Sequence, residues 1–409
     1  MGGILDLLGS AVTMRVLVVH NRYSSRVPSG ENLSVDDEVA WLRKAGVEVG
    51  LHQASNDELL QGGIPRRVQH AVSAPWSLPA KHRMDHVLDE APPDIVHVHN
   101  LFPLLTGSVP WAALRRGVPV VWTVRNHRAL CIAGTHFRDG KSCHDCTPGL
   151  RLAGIRHGCY RGSVTASALM TGATGLFRSI ARRRVTALAI SHSLRRWLVD
   201  ANGFPSERAI VKYNGVPAPT LDWPLVPPAD SRTYLFAAKL APYKGVSLLL
   251  DAWARADLRD ARLRVVGDGP DADEVRAAAS RDPRISFEGY ASREDMTRHY
   301  AEARAVLVPS TWDEPFGRVA AEALAHGRPV ITTGMGGLRE VVGDDAGWIT
   351  GTEPQRLAQA LVEAEDDRAV TTRAIAARRR HQDLFSPHVT TQALVDIYEN
   401  CIRQRNDDE

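Results

Sequence analysis

No apolar run among the 409 residues approaches the ~18 that a membrane-spanning helix needs. The opening stretch "MGGILDLLGSAVT" lacks the basic start and small-residue cleavage pattern of a secretory leader, so residues 1–13 read as a disordered or adventitious extension. Net charge is nearly absent: 50 Lys and Arg against 47 Asp and Glu leave +3, which gives little support to a nucleic-acid partner. Cysteine is scarce, five in all, and without a leader disulfides are disfavoured. What is present is ordinary for a globular protein, 44% hydrophobic and 24% charged, which excludes collagenous and disordered classes. One hydrophobic core rarely serves such a length, so two domains of ~200 residues are expected.

Acidic residues are missing altogether from Thr147 to Val199, where Arg151, Arg156, Arg161, Arg178, Arg182, Arg183, Arg184, Arg195 and Arg196 stand. Two readings stay open. The stretch draws an anionic partner or the inner face of a membrane, with peripheral contact through residues 151–196, or it is a solvated helix face.

"MRVLVVH" (14–20) is a short, nearly continuous apolar run, the form of a strand buried on both faces of a parallel sheet. A glycine-containing loop follows, then "VDDEVAWLRKAG", with Val35, Val39 and Leu42 at helical spacing and Gly46 as a C-terminal cap. The cycle recurs with "DIVHVH" (94–99), "PVVWTV" (119–124) and "ALAIS" (187–191). "NGVPAPTLDWPLVPPADS" (214–231) has the composition of a linker. Beyond it the rhythm restarts with "TYLFAAKL", "ARLRVVGDG", "RISFEG", "ARAVLVPS" and "PVITTG", and "PHVTTQALVDIYENCIRQ" reads as a closing amphipathic helix after Pro387. The expected architecture is α/β: two doubly wound, Rossmann-like domains, 14–217 and 218–386, facing a cleft, with the helix of 387–409 returning to the first. Ligands of such sheets bind in the loops beyond the strand carboxyl ends.

"DEPFGRVAAEALAHGRPV" (313–330) follows one such strand. Pro315 disfavours helical geometry at Glu314, which therefore stays in the loop, and Gly317 allows close backbone approach. A helix beginning near Arg318 offers unpaired amides and the positive end of its dipole to a phosphate. Glu322 lies about 6 Å further along that axis. Two carboxylates flanking a phosphate site suit a ligand with hydroxyls on both sides of its phosphates, a nucleotide sugar.

This Glu, seven residues, Glu spacing with Phe-Gly between, followed by "GRPVITTGMGGLREVV", resembles the retaining glycosyltransferases of family 4, whose fold is GT-B. "NRYSSRVPSGEN", "DIVHVHN", "NGV", "KLAPYKG", "VGDGP" and the closing helix extend the resemblance over nearly the whole chain from Met14. It implies a cytoplasmic, hexosyltransferase-like enzyme with a UDP- or GDP-type sugar donor and no catalytic metal. By the same resemblance Glu314 holds sugar hydroxyls, Glu322 holds the ribose, and amides of Phe316, Gly317, Arg318 and Val319 meet the sugar and diphosphate. Lys239 and Lys244 offset the negative charge of the departing phosphate, Lys239 standing where arginine is usual. Gly267 and Gly269 border the nucleotide, Gly289 and Tyr290 the base, and Gly30 offers its amide to the diphosphate or acceptor, Ser29 replacing the family's first glycine.

Arg125 in "WTVRNHRALC" occupies the place of the family's histidine near the reacting carbon and cannot accept a proton at neutral pH. His127 takes over that polar contact or is a structural histidine, and His97 and His99 read as packing. Cys131, Cys143, Cys146 and Cys159, separated by eleven, two and twelve residues, form a Cys-rich insertion over 131–159. A structural zinc, a redox or disulfide pair, and unlinked thiols are the alternatives, with His136, His144 and His157 as substitute ligands. The expected activity is retaining transfer of a sugar to a saccharide, lipid-linked or small-metabolite hydroxyl. A nucleotide-sugar 2-epimerase of related architecture and a catalytically weak nucleotide-sugar binder are the alternatives.

Overall fold

The computed structural model describes residues 14–25, 29–58, 73, 75–147, 151–219 and 225–408. The expected extension at 1–13 and the middle of the proline-rich linker lie outside the described residues. The chain forms two compact units. One comprises Met1–Val124, Thr165–Leu188 and Thr391–Glu409, the other Arg125–Val164 and Ala189–Thr390. The strands are β1 (Arg15–Arg22), β2 (Glu48–Ser55), β3 (Ile95–Val98), β4 (Val120–Val124), the short pair β5 (Phe137–Arg138) and β6 (Lys141–Ser142), β7 (Val185–Ala189), β8 (Ala209–Val211), β9 (Thr233–Ala237), β10 (Arg262–Val266), β11 (Ile285–Gly289), β12 (Ala305–Val308), β13 (Val330–Thr332) and β14 (Gly347–Ile349).

In the first unit the strands stand in the order β2-β1-β3-β4-β7. β1 pairs in parallel with both neighbours, Val16 opposite Val49 on one side and Ile95 on the other. Val16, Val18 and Val19 are wholly buried, as a strand covered on both faces requires. The helix Gly30–Lys44 starts earlier than its apolar spacing predicts because Ser29 caps it, Oγ accepting from the Asn32 amide at 3.3 Å. The expected Val35, Val39 and Leu42 form its buried stripe.

The closing helix is Pro387–Asp408, and from Thr391 onward it belongs to this first unit. Tyr398 on it is fully buried and meets the His97 ring, OH to Nδ1 2.5 Å, while His97 Nε2 lies 2.7 Å from Thr123 Oγ1. His99 and Glu38 are buried beside them. Tyr398→Phe removes one buried hydrogen bond and little volume, so it is expected to lower unfolding free energy by about 1–2 kcal/mol in denaturant titration.

The second unit carries the sheet β11-β10-β9-β12-β13-β14, whose paired strands are parallel. That order reverses direction between β9 and β12, so the loops after those strands share one edge at a switch point. Tyr234, Phe236, Trp253, Leu263, Leu307 and Trp348 are among the residues of its core. Arg304, wholly buried, ties the Pro228–Asp230 turn to the carbonyls of Ala364 and Glu365 and to Asp367. No helix among the described residues is long and apolar enough to cross a membrane.

Candidate active site

The loop between β12 and the helix Arg318–Ala325 arranges Glu314 around one of its two oxygens. Oε2 accepts from Lys244 Nζ at 2.7 Å, from Trp312 Nε1 at 2.8 Å and from Ser310 Oγ at 3.2 Å. The Lys244 ammonium also sits 5.1 Å from the Trp312 ring centroid and 5.7 Å from that of Tyr243, a cation held by two π faces. The carboxylate is thus fixed in direction while Oε1 stays open to a hydroxyl donor.

Two glycines make this loop possible. Gly317 has φ 98°, in the left-handed region, and a Cβ there would lie 2.4 Å from Leu338 Cδ2. Gly336, φ 62°, presses on the Glu314 backbone, where a Cβ would come within 2.4 Å of the carbonyl oxygen and 2.6 Å of the nitrogen. The Gly337 amide then donates to the Glu314 carbonyl at 2.7 Å. "GMGG" is therefore the floor under Glu314 and more than a tight turn. No side chain caps the helix Arg318–Ala325, the reverse of the Ser29-capped helix in the first unit, and the first amides of any helix have no intrahelical partner.

Glu322, one turn into that helix, receives Arg318 Nε on Oε1 at 2.7 Å and Tyr300 OH on Oε2 at 2.9 Å. Tyr300 had no sequence signal, standing 22 positions earlier on another helix. Burial, and then the Glu322 charge, push its phenol well above the usual tyrosine range, so it stays a donor. The carboxylate keeps lone pairs for further donors.

The loops after β9, β10 and β11 are laced together: Leu240 N to Asp268 O at 2.9 Å, Ala238 N to Val266 O at 3.1 Å and Gly267 N to Gly289 O at 2.7 Å. Gly267, Gly269 and Gly289 thereby share one rim, Lys239 is exposed on it, and Tyr290 stands 66% exposed at its end. Asp271 occupies the capping position of the helix Ala272–Arg281 without a side-chain hydrogen bond, and Asp273 pairs with Arg276.

His127 is buried, its Nε2 donating to the Asp313 carbonyl at 2.7 Å, which braces the peptide preceding Glu314. Burial holds its pKa below the ordinary value. Its ring stacks on His136 with centroids 4.2 Å apart, and burial presses the His136 pKa down to about 2, so that imidazole is neutral. Arg125 donates Nη1 to Asn214 Oδ1. Gly30, in the first unit, is exposed at the first turn of its helix.

The description Glycosyltransferase Family 4 matches residues 28–218, and Glycosyl transferases group 1 matches residues 231–367. A D-inositol 3-phosphate glycosyltransferase of Kineococcus radiotolerans is 34% identical over 92% of this chain and 91% of its own length. The chain is a family 4 glycosyltransferase with the GT-B fold. A phosphatidyl-myo-inositol mannosyltransferase of Mycobacterium tuberculosis is 28% identical over 59% of this glycosyltransferase and 66% of the relative. Among solved structures, Anabaena Alr3699/HepE in complex with UDP superposes with TM-score 0.67 at 20% identity, covering 95% of this chain and all of that one, a likeness of fold.

No disulfide joins any of the five cysteines, all of which are among the described residues. Burial raises the pKa of Cys146 and of Cys159, two of the four cysteines of the insertion. The four are not among the gathered sets: within the described residues, the trios of metal-ligating atoms lying within 4.8 Å of one another are Glu38, His97 and His99, and His136, His144 and Asp313. Cys401 lies apart, its thiol 3.7 Å from Thr186 Oγ1. The arginine-rich stretch divides between the two units, and several members have structural work. Arg151 is buried, Arg184 donates to the Leu114 carbonyl, and Arg195 bonds the carbonyls of Ala209 and Ser206.

Proposed function

We propose that this glycosyltransferase moves a sugar from a nucleoside diphosphate donor to an acceptor hydroxyl with retention of anomeric configuration. The observation that carries the reading is the Lys244–Glu314 pair, 2.7 Å, set beside the uncapped amino end of the helix Arg318–Ala325. There an anion is favoured by the helix dipole and by first-turn amides that the helix itself does not use, and a nearby carboxylate accepts hydroxyls. The UDP in the Anabaena structure, similar in fold, supports the donor class.

In the step proposed, the bond from the anomeric carbon to the diphosphate oxygen breaks while a bond from the acceptor oxygen forms on the same face. The acceptor's proton passes to the leaving phosphate oxygen, so no protein base is needed and Arg125 in the histidine position is tolerated. Lys244 and the exposed Lys239 offset the charge growing on the phosphate, an effect worth several kcal/mol in preorganised sites. The acceptor class is a polyol or saccharide hydroxyl, and an inositol phosphate is the first to try because the most extensive relative quoted above is named for one.

A thermal-shift panel of nucleoside diphosphates and their sugars tests the donor, since a ligand of the folded state raises the melting temperature with its affinity. The positive donor is then incubated with inositol phosphates and the product anomer read by NMR. A product of inverted configuration refutes retention. Glu322→Ala is expected to weaken nucleotide binding about 10- to 100-fold in calorimetric titration, the loss of a hydrogen bond to a charged group.

A further inference from the structure

We propose that His136, His144 and Asp313 form a site for a divalent first-row cation, zinc by preference, separate from the four cysteines. One ring nitrogen from each histidine and one carboxylate oxygen all lie within 4.8 Å of one another. His144 Nε2 and Asp313 Oδ2 are 3.6 Å apart. That is near the edge, about 3.4 Å, of a tetrahedron built with ordinary zinc bonds.

His136 supplies an independent pointer. It is 1% exposed, and neither of its ring nitrogens has a hydrogen-bond partner. A buried imidazole left so costs free energy that a metal bond would recover. The chain builds the pair locally. His136 takes a left-handed backbone, φ 49°, the β5–β6 hairpin turns back, and the Cys143 amide closes on the His136 carbonyl at 2.7 Å, which sets His144 beside it. Trp197 walls the site, its ring 4.9 Å from that of His136 and stacked on His144 at 4.8 Å.

Two imidazoles and a carboxylate suit zinc and leave one tetrahedral position open. Asp313 precedes Glu314, and its carbonyl already takes the His127 bond. A cation here ties the base of the insertion to the Glu314 loop and fixes that loop in place, with no part in bond breaking.

The four cysteines are the competing ligand set, so the test separates the two. Zinc in the full-length protein, purified without chelator, is measured by mass spectrometry, and Co²⁺ is titrated into metal-stripped protein while absorption is recorded. Expected are about one zinc per chain and cobalt bands without thiolate charge transfer. His136→Ala/His144→Ala, and separately Asp313→Asn, should bind at least about tenfold more weakly, whereas Cys143→Ser/Cys146→Ser should not. Asp313→Asn preserves shape, so its loss of metal at unchanged circular dichroism reports a lost ligand and not a lost fold. Wild-type protein that neither retains zinc nor binds cobalt overturns the proposal. So does metal that leaves with the cysteines, stays without the histidines and shows thiolate charge transfer.

Discussion

Glu314→Gln is expected to reduce transfer, as kcat/KM for the donor sugar, by about 10²–10³-fold while leaving the affinity for the bare nucleoside diphosphate within about threefold. The reason lies in the division of labour at Oε2 and Oε1. Three donors, from Lys244, Trp312 and Ser310, hold Oε2. On the proposed reading the other oxygen, Oε1, meets sugar hydroxyls and not the nucleotide. The amide keeps the shape but removes the negative charge, so the Lys244 ammonium loses its partner and the sugar loses a charged acceptor. Parallel kinetics and calorimetry measure the split. Equal losses of nucleotide affinity and turnover would mean that Glu314 serves the nucleotide.

Gly336→Ala is the second large effect, and it acts through the backbone of Glu314. The new methyl would overlap the Glu314 carbonyl and nitrogen at 2.4 and 2.6 Å, from a backbone with φ 62°. The peptide of Glu314 must move or Gly336 must leave the left-handed region. Either costs about 1–3 kcal/mol of backbone strain, with clash in addition. Expected are a lower unfolding midpoint and a fall in kcat of about 10²-fold, because a displacement near 1 Å at a positioning group has that consequence. Donor-induced thermal stabilisation should shrink in parallel. A variant with native turnover would show that the loop does not need this floor.

Much of this site was legible because its chemistry sits on consecutive residues. Pro315 after Glu314 and Gly317 before Arg318 mark a loop entering a helix, and the helix begins at Arg318 as that pattern predicts. Strands buried on both faces, such as β1, β9 and β12, announced themselves as apolar runs. β2 did not, since it is the edge strand of its sheet and alternates exposed Glu48, Leu51 and Gln53 with buried neighbours. β8 and β14, three residues each, are too short to carry a pattern.

Partners fixed by tertiary approach were invisible for a different reason. Tyr300 reaches Glu322 from a separate helix, and His127 reaches Asp313 across 186 positions. Within the insertion, the turn between β5 and β6 brings His136 and His144 together through a backbone closure that no spacing rule encodes.

A crystal structure of the protein with a bound nucleoside diphosphate sugar is the most direct measurement of where the donor lies. Its phosphates should sit within hydrogen-bond distance, about 2.7–3.2 Å, of amides at Gly317, Arg318 or Val319, with Glu322 on the ribose and Glu314 on the sugar. Phosphates bound elsewhere, with both carboxylates keeping only the protein partners they have now, would contradict it.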